Sequence, residues 1–273
     1  MSERQKINYL EPHGHTFTGV RGCVHAAPAY WKNPIRWDLA AERADRHDPV
    51  MWDMGDFFED WRGPILDTAG LRVIVFADGS RWVTDGAIGN TRDMTFDDVR
   101  ADVFSLIDRT PHLDWLLPTK RPERIRECWC DFSCESTRVN EIYRGVSVRR
   151  DNVWLGCSVS TQAEYDAALP HMAACRDLCP VLWWSFEPLV GPISLGGTSP
   201  ALEFVDWIVC GCESGHGRRP FVADWARSLR DQCAAVGVPL WLKQIIVRGR
   251  VSTDESEWPA DLRGCRALPE VTV

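Results

Sequence analysis

Short apolar runs alternate with amphipathic segments along the chain. The clearest runs cover 71–77, 113–117, 153–159, 181–186, 205–210 and 239–242, with an earlier candidate at 16–20. Runs such as VLWWSF and VDWIVC contain almost no polar positions. This is typical of parallel strands that are covered on both faces. The pattern therefore predicts a series of buried strands.

Helices are predicted between these strands. Thr95 begins a Thr-x-x-Asp variant of the capping box, and the apolar positions that follow recur on one helix face. Thr161 and Glu164 form a second box, and Pro170 is expected to bend or restart the helix that follows it. Another amphipathic helix is predicted over 223–236.

The alternation of strands and helices predicts an α/β fold with a parallel sheet. Six or seven strands are visible, so a TIM-like barrel that is incomplete or irregular is favoured over a doubly wound sheet. We expect one barrel domain over 1–273. Two segments, about 48–70 and 247–273, carry no regular pattern and are expected to be irregular.

Composition narrows the possible partners and the compartment. The apolar fraction of 45% is that of a globular protein, and the net charge of −8 argues against a broad basic face for nucleic acid. Local contact with a nucleic acid stays compatible with that charge. We expect no membrane span, because no apolar stretch is long enough, and no signal peptide. The sequence thus predicts a cytoplasmic protein.

Eleven cysteines are expected to be thiols or metal ligands in a reducing compartment. Cys128, Cys130 and Cys134 lie at a short spacing that suits zinc or an iron–sulfur cluster. The remaining central cysteines are expected to be small buried apolar residues: Cys157, Cys210, Cys212 and Cys233.

Polar or glycine-rich residues follow each of the late strands. Because the carboxyl ends of parallel strands meet at one edge, we expect them to form one polar pocket. They are Lys120, Arg121, Ser158, Ser185, Glu187, Gly211, Glu213, Ser214, Gly215, Arg218, Lys243 and Gln244. Glu187 and Glu213 are candidate acids or bases, and Lys120 and Lys243 could stabilise anionic charge. The other residues are candidate ligand contacts. The alternative is that they are ordinary solvated loop residues.

Several long motifs within 113–245 resemble a known protein family. They are LLPTKRPERIRE, NVWLGCSVSTQAEYDAALP, WWSFEPLVGPISL, VDWIVCGCESGHGRRPFVADWARSLRDQC and GVPLWLKQ. They are similar to a phage and bacterial radical-SAM-like family of largely unassigned function. The resemblance implies a TIM-like barrel. It also implies an N-terminal loop in which three cysteines hold a [4Fe–4S] cluster that binds and cleaves S-adenosylmethionine.

The N-terminal loop departs from the family's cysteine pattern. Cys23 matches the first of the three positions, but Tyr30 and Asn33 occupy the other two. Cys23 is the one ligand position that the resemblance carries over to this chain. Either the cluster has been lost, which we favour, or other ligands, such as His25 or the 128–134 group, replace the two missing cysteines.

Three functions follow as hypotheses. The leading one is a barrel without its cluster that keeps a pocket for a nucleotide-like or other small polar ligand, with S-adenosylmethionine as one candidate. In a phage-encoded protein this would act in the host cytoplasm. The second is an active radical enzyme that uses unorthodox cluster ligands and acts on a nucleobase or nucleic acid. The third is a non-catalytic binding or regulatory module. The sequence leaves open whether the protein is an enzyme.

Overall fold

The computed structural model of the protein describes residues 14–17, 20–21, 24–52, 55–86, 88–129, 148–196 and 204–270. Within these residues the chain forms two compact units. The N-terminal unit comprises Gly14–Leu116 and Arg124–Val148, and the C-terminal unit comprises Leu117–Glu123 and Arg149–Val273, as far as these ranges are described. The expectation of one domain stays a prediction.

The N-terminal unit contains a parallel group of strands and a separate antiparallel sheet. Its strands are β1 (His15–Phe17), β2 (Val20–Arg21), β3 (Val24–His25), β4 (Asp48–Trp52), β5 (Arg72–Phe76), β6 (Arg81–Thr84), β7 (Thr91–Asp93) and the first part of β8 (Leu113–Thr119). Its helices are α1 (Asn33–Arg43), α2 (Phe96–Asp108) and α3 (Ile125–Cys128). Strand β4 pairs in parallel with β1 and β8, β2 pairs with β3, and β5 lies antiparallel between β6 and β7.

Two expectations for the N-terminal unit are wrong. The segment 48–70 begins with β4, the middle strand of the parallel group. Its signal is weak because Asp48 and Pro49 leave only three apolar residues in the strand. The run 71–77 does contain a strand, but β5 pairs antiparallel. The turn after it explains this: Gly79 has a φ of +82°, and Asp78 accepts a 2.8 Å hydrogen bond from the backbone N–H of Ser80.

The C-terminal unit is built on parallel strands. After the end of β8 it contains β9 (Val153–Ser158), α4 (Gln162–Ala173), β10 (Val181–Phe186), β11 (Trp207–Gly211), α5 (Ala223–Val236), β12 (Leu240–Val247) and β13 (Arg250–Ser252). The strand order is β8-β9-β10-β11-β12-β13. Strands β9 to β12 are parallel and β13 is antiparallel to β12. The predicted α/β class with a mostly parallel sheet is confirmed, whereas closure into a barrel stays a prediction.

The helix predictions are confirmed, except that no restart occurs at Pro170; a bend there stays a prediction. Both capping boxes form, at Thr95 with Asp98 and at Thr161 with Glu164. Helix α4 continues through Pro170 instead of restarting. Because Pro170 is exposed, water can bond the carbonyl group that proline leaves without a donor. None of the helices in the described ranges is long and apolar enough to cross a membrane.

The tail is more regular than expected. Besides β13, the segment 247–273 contains two short 3₁₀ helices, Glu255–Glu257 and Ala260–Leu262. Their apolar content is low, and each is a single turn, so no periodic pattern could reveal them.

The sheet of the C-terminal unit has two different faces. The tryptophan face carries Trp154, Trp183 and Trp207, whose rings contact one another at centroid distances of 5.4 and 6.0 Å. The helix face carries Trp184 and Phe186, which pack against Tyr165 of α4. All five side chains of these two groups are buried. Large rings therefore fill both sides of the sheet below its carboxyl-terminal edge.

Candidate functional site

Two serines lie side by side where β9 and β10 end. Ser158 and Ser185 are partners in the parallel register, so their side chains project from the same face, about 4.8 Å apart in backbone spacing. Ser185 is buried, and its hydroxyl donates a 3.1 Å hydrogen bond to Oε2 of Glu187. Glu187 is therefore held by the strand that leads into it.

Lys243 reaches Glu187 because β12 contains a β-bulge. Cys210 of β11 pairs with Leu242, but the next residue, Gly211, pairs with Gln244, so Lys243 is the extra residue. A bulge redirects the side chain of the residue it inserts. Here it leaves Nζ of Lys243 3.0 Å from Oε1 of Glu187.

The ion pair is partly buried and is not an aligned hydrogen bond. The side chains of Lys243 and Glu187 are 25% and 16% exposed. Although the two charged atoms are in contact, Oε1 of Glu187 is buried without a hydrogen-bond partner of acceptable geometry. A buried carboxylate oxygen without an aligned hydrogen bond lowers the stability of the folded protein unless a ligand or water donates a hydrogen bond to it.

Gly211 and Gln244 complete this group. A β-carbon on Gly211 would lie 3.4 Å from Oε1 of Glu187 and 3.3 Å from both Cγ and the carbonyl oxygen of Gln244. Gln244 is buried and its side-chain amide donates a 2.8 Å hydrogen bond to the carbonyl of Cys212. We call Ser185, Glu187, Gly211, Lys243 and Gln244 the strand-end cluster.

The charged side chains in and after the glycine loop that follows β11 form hydrogen bonds with other groups of the protein. Arg219 donates to both carboxylate oxygens of Glu213 at 3.0–3.1 Å and adds a 2.8 Å bond from its backbone N–H. Arg218 donates to the carbonyls of Gly215 and Gly249 at 3.0 and 2.6 Å. Ser214 and Gly215 are exposed in this loop. Anion binding at this loop stays a prediction. Of the two candidate acids or bases, Glu187 accepts fewer hydrogen bonds from the protein than Glu213 does.

Glu213 provides a pH prediction. Its hydrogen bonds from Arg219 lower its pKa below the usual value of about 4.3 for glutamate. The hydrogen bonds from Arg219 therefore stabilise the folded state fully at pH values above the usual glutamate pKa. This stabilisation is lost as the pH falls through the lowered pKa that Glu213 has in the folded protein. A ¹³C NMR titration of the Glu213 carboxyl group measures this. Arg219→Ala is expected to raise the Glu213 pKa and Arg218→Ala to leave it unchanged. An equal Glu213 pKa in both variants contradicts the assignment.

Lys120 and Arg121 lie in a different part of the same unit. Lys120 and Ser158 line a cavity of about 400 Å³, together with Ser160, Glu164 and His171. Its apolar lining residues include Cys157, Ala167 and Ala168. The backbone N–H of Arg121 donates to Oγ1 of Thr119 at 2.9 Å, which fixes the turn after β8. Cys157, the register partner of Trp184, and the α4 residues place this cavity on the helix face, whereas Ser158 and Ser185 share the opposite face, so the cavity and the strand-end cluster are related through the end of β9.

The residues at the expected cluster positions do not fit a three-thiolate [4Fe–4S] site. Tyr30 lies in the 3₁₀ helix Tyr30–Lys32, and Asn33 is the first residue of α1. Neither side chain supplies a thiolate. Cys23 lies outside the described residues. His25, another possible ligand, stacks on Trp31 at 4.7 Å, and burial lowers its pKa.

The described cysteines behave as buried thiols. All eight are free, and seven of them are buried. Burial raises the pKa of Cys212 to about 11 and that of Cys233 to about 12, which keeps the thiols protonated near neutral pH. This confirms the expectation for Cys157, Cys210, Cys212 and Cys233. Of the 128–134 group only Cys128 is described; it is buried and its pKa is raised, while Cys130 and Cys134 lie outside the described residues. Within the described ranges no group of three ligand residues could hold a metal ion.

The structure adds residues that no sequence pattern assigns to the site. Glu164, predicted as a helix cap, also lines the cavity, as does His171. Arg266 contacts the backbone of the Lys243 bulge from the tail. A cation 23 residues further along the chain has no local sequence signal that would connect it with Lys243.

The comparisons with known proteins give one match. Residues 86–259 match the family model described as "Protein of unknown function (DUF5131)". No curated protein and no solved structure matches the chain. The matched range covers more than half of the chain and includes every predicted site residue except Cys23. The protein belongs to the DUF5131 family of proteins of unknown function.

Proposed function

We propose that the protein binds a small nucleotide-like ligand at the strand-end cluster, on a radical-SAM-like scaffold that has lost its iron–sulfur cluster. The observation that carries the proposal is the partly exposed contact between Lys243 and Glu187. Opposite charges at the carboxyl ends of parallel strands are suited to a ligand that itself carries both charges.

The chemistry of the pair favours a zwitterionic group on that ligand. An ammonium group could take the place of Lys243 beside Glu187, while a carboxylate pairs with Lys243. Both protein charges would then keep a partner, and the buried Oε1 of Glu187 would gain a donor. The cavity of about 400 Å³ at the end of β9, which is lined by both apolar and polar residues, is within the size range of small-molecule pockets. S-adenosylmethionine has both features, an amino-acid end and a nucleoside end.

The loss of radical chemistry is supported only by the chemical nature of the side chains at the expected cluster-ligand positions. Tyr30 and Asn33 replace two of the three thiolates that the resemblance requires. A ligand pocket does not depend on those thiolates. The proposal is therefore a binding function, with any chemical step limited to what Glu187 and Lys243 can do as an acid–base pair.

Two measurements test the proposal. Protein purified and reconstituted without oxygen is expected to be colourless and to hold no stoichiometric iron or sulfide. Calorimetric titration with S-adenosylmethionine is expected to show binding, and ATP is expected to bind more weakly because its several negative charges do not match a neutral ion pair. A stoichiometric [4Fe–4S] cluster with formation of 5′-deoxyadenosine overturns the first part. Absence of S-adenosylmethionine binding at millimolar concentration overturns the second.

A further inference from the structure

The C-terminal tail runs along the edge of β12 just before the bulge. The backbone N–H of Leu242 donates to the carbonyl of Cys265 at 2.7 Å, and that of Ala267 donates to the carbonyl of Leu240 at 2.9 Å. Trp241 and Arg266 form the bridge between these two bonds. The tail thus places Arg266 beside the strand segment that contains Lys243.

The side chain of Arg266 then reaches around the bulge. Its guanidinium group donates to the carbonyls of Leu242 and Lys243, both at 3.2 Å, and to the carbonyl of Thr253 at 2.7 Å. These bonds come from Nε and one terminal nitrogen, which is the planar fork that lysine cannot offer. A bulge interrupts regular strand pairing, and Arg266 supplies a donor to the carbonyl of the inserted residue.

Arg266 is itself held firmly. The guanidinium carbon lies 5.6 Å from the ring centroid of Trp241 and 4.9 Å from that of Trp258. Its remaining terminal nitrogen, Nη1, is 3.1 Å from Oε1 of Glu255. The side chain is 20% exposed, so these contacts are only partly weakened by solvent. A side chain fixed on both rings and on a carboxylate is a rigid support for the bulge.

We infer that Arg266 is a positioning residue that sets the backbone of Lys243 so that its ammonium group meets Glu187. The inference rests on the proposed function in so far as that pair binds the ligand. It adds that the tail controls the affinity of the strand-end cluster from outside the pocket, without touching the ligand. A supporting residue of this kind determines how accurately a site is held.

The test distinguishes the planar hydrogen-bonding geometry of the Arg266 guanidinium group from its positive charge. Arg266→Lys keeps a cation near Trp241, Trp258 and Glu255 but lacks the planar pair of nitrogens that bonds the carbonyls of Leu242 and Lys243. The matched control is Arg263→Lys, because Arg263 also donates from the tail to two carbonyls, but these are the carbonyls of Trp258 and Ser256 and neither belongs to β12.

The readout follows Lys243 directly. The chain has four lysines, so reductive ¹³C-methylation gives a simple NMR spectrum in which Lys243→Met identifies the Lys243 signal. The variant Glu187→Gln supplies the position of the unpaired amine. We expect the Lys243 signal of Arg266→Lys to move toward that position and the signal of Arg263→Lys to stay at the wild-type position. The affinity for S-adenosylmethionine is expected to fall about tenfold in Arg266→Lys only, equivalent to losing one hydrogen bond to the bulge.

The outcomes distinguish the inference from the proposed function. An unchanged Lys243 signal in Arg266→Lys, or an equal movement in Arg263→Lys, overturns the inference whether or not the ligand binds. If wild-type protein binds no S-adenosylmethionine but the Lys243 signal moves as expected, the proposed function fails and the positioning role stands.

Discussion

Replacing Gly156 with alanine is expected to lower the free energy of unfolding by about 3 kcal/mol, the upper end of the range for overpacked cores. Gly156 lies in β9 beneath the ring of Trp183. A β-carbon there would be 2.3–2.7 Å from three atoms of that ring. Such distances are far below van der Waals contact, so the ring or the strand must move.

The ring of Trp183 has little room to move. It is 1% exposed, its indole N–H donates to the carbonyl of Trp154 at 3.2 Å, and it packs on Trp207 at 5.4 Å. Ser185 follows Trp183 on the same strand and the same face, and Glu187 lies directly after the strand ends. A shift of Trp183 should therefore weaken the site as well as the core.

Denaturant unfolding followed by circular dichroism measures the effect, and Gly191→Ala is the matched control. No heavy atom lies within 4 Å of a β-carbon on Gly191, so this change is expected to alter stability by less than about 0.5 kcal/mol. Equal unfolding midpoints for the two variants would show that Trp183 does not constrain Gly156.

The second large effect is expected on ligand binding. Glu187→Gln and Lys243→Met should each weaken the binding of S-adenosylmethionine at least tenfold, or about 1.4 kcal/mol. Each change removes the partner of one ligand charge and leaves the opposite protein charge uncompensated. Glutamine keeps the shape of Glu187, so its effect reports the charge rather than packing.

A double-mutant cycle tests whether the two residues act as a unit. The loss of binding free energy in the double variant is expected to be smaller than the sum of the two single losses. The reason is that the second substitution no longer leaves a protein charge without its partner. Unfolding stability should fall by only about 1 kcal/mol in either single variant, because both side chains are partly exposed. Lys32→Met, at an exposed lysine of the other unit, is the control. Wild-type affinity in both single variants would remove the pair from the proposed function.

Short sequence patterns predict the helices and strands whose stabilising residues lie close together in the sequence. The boxes at Thr95 and Thr161 are formed by residues three positions apart, so the sequence alone contains both partners. Continuous apolar runs likewise identified β9, β10 and β11, which are buried along their whole length. The dipeptide Asp78-Gly79 is also a local signal for a hairpin, and it could have predicted the antiparallel pairing of β5.

The remaining features depend on which strands pair and in which register. The bulge at Lys243 exists only relative to β11, so periodicity along β12 cannot reveal it. The contact between Arg219 and Glu213 requires the turn that Gly215 and Gly217 form at positive φ. For this reason the strand ends could be predicted as a set, whereas the grouping of Glu187 with Lys243, and of Glu213 with Arg219, could not.

The tail beside β12 has a consequence for the behaviour of the protein in concentrated solution. Strand β12 is an apolar strand with neighbours on both sides: β11 on one, and the segment 265–267 followed by β13 on the other. A bare edge of such a strand would offer its backbone groups to another molecule and promote aggregation. By covering the first half of this edge, the segment that carries Arg266 occupies the backbone groups that strand-to-strand association between copies of the chain would require.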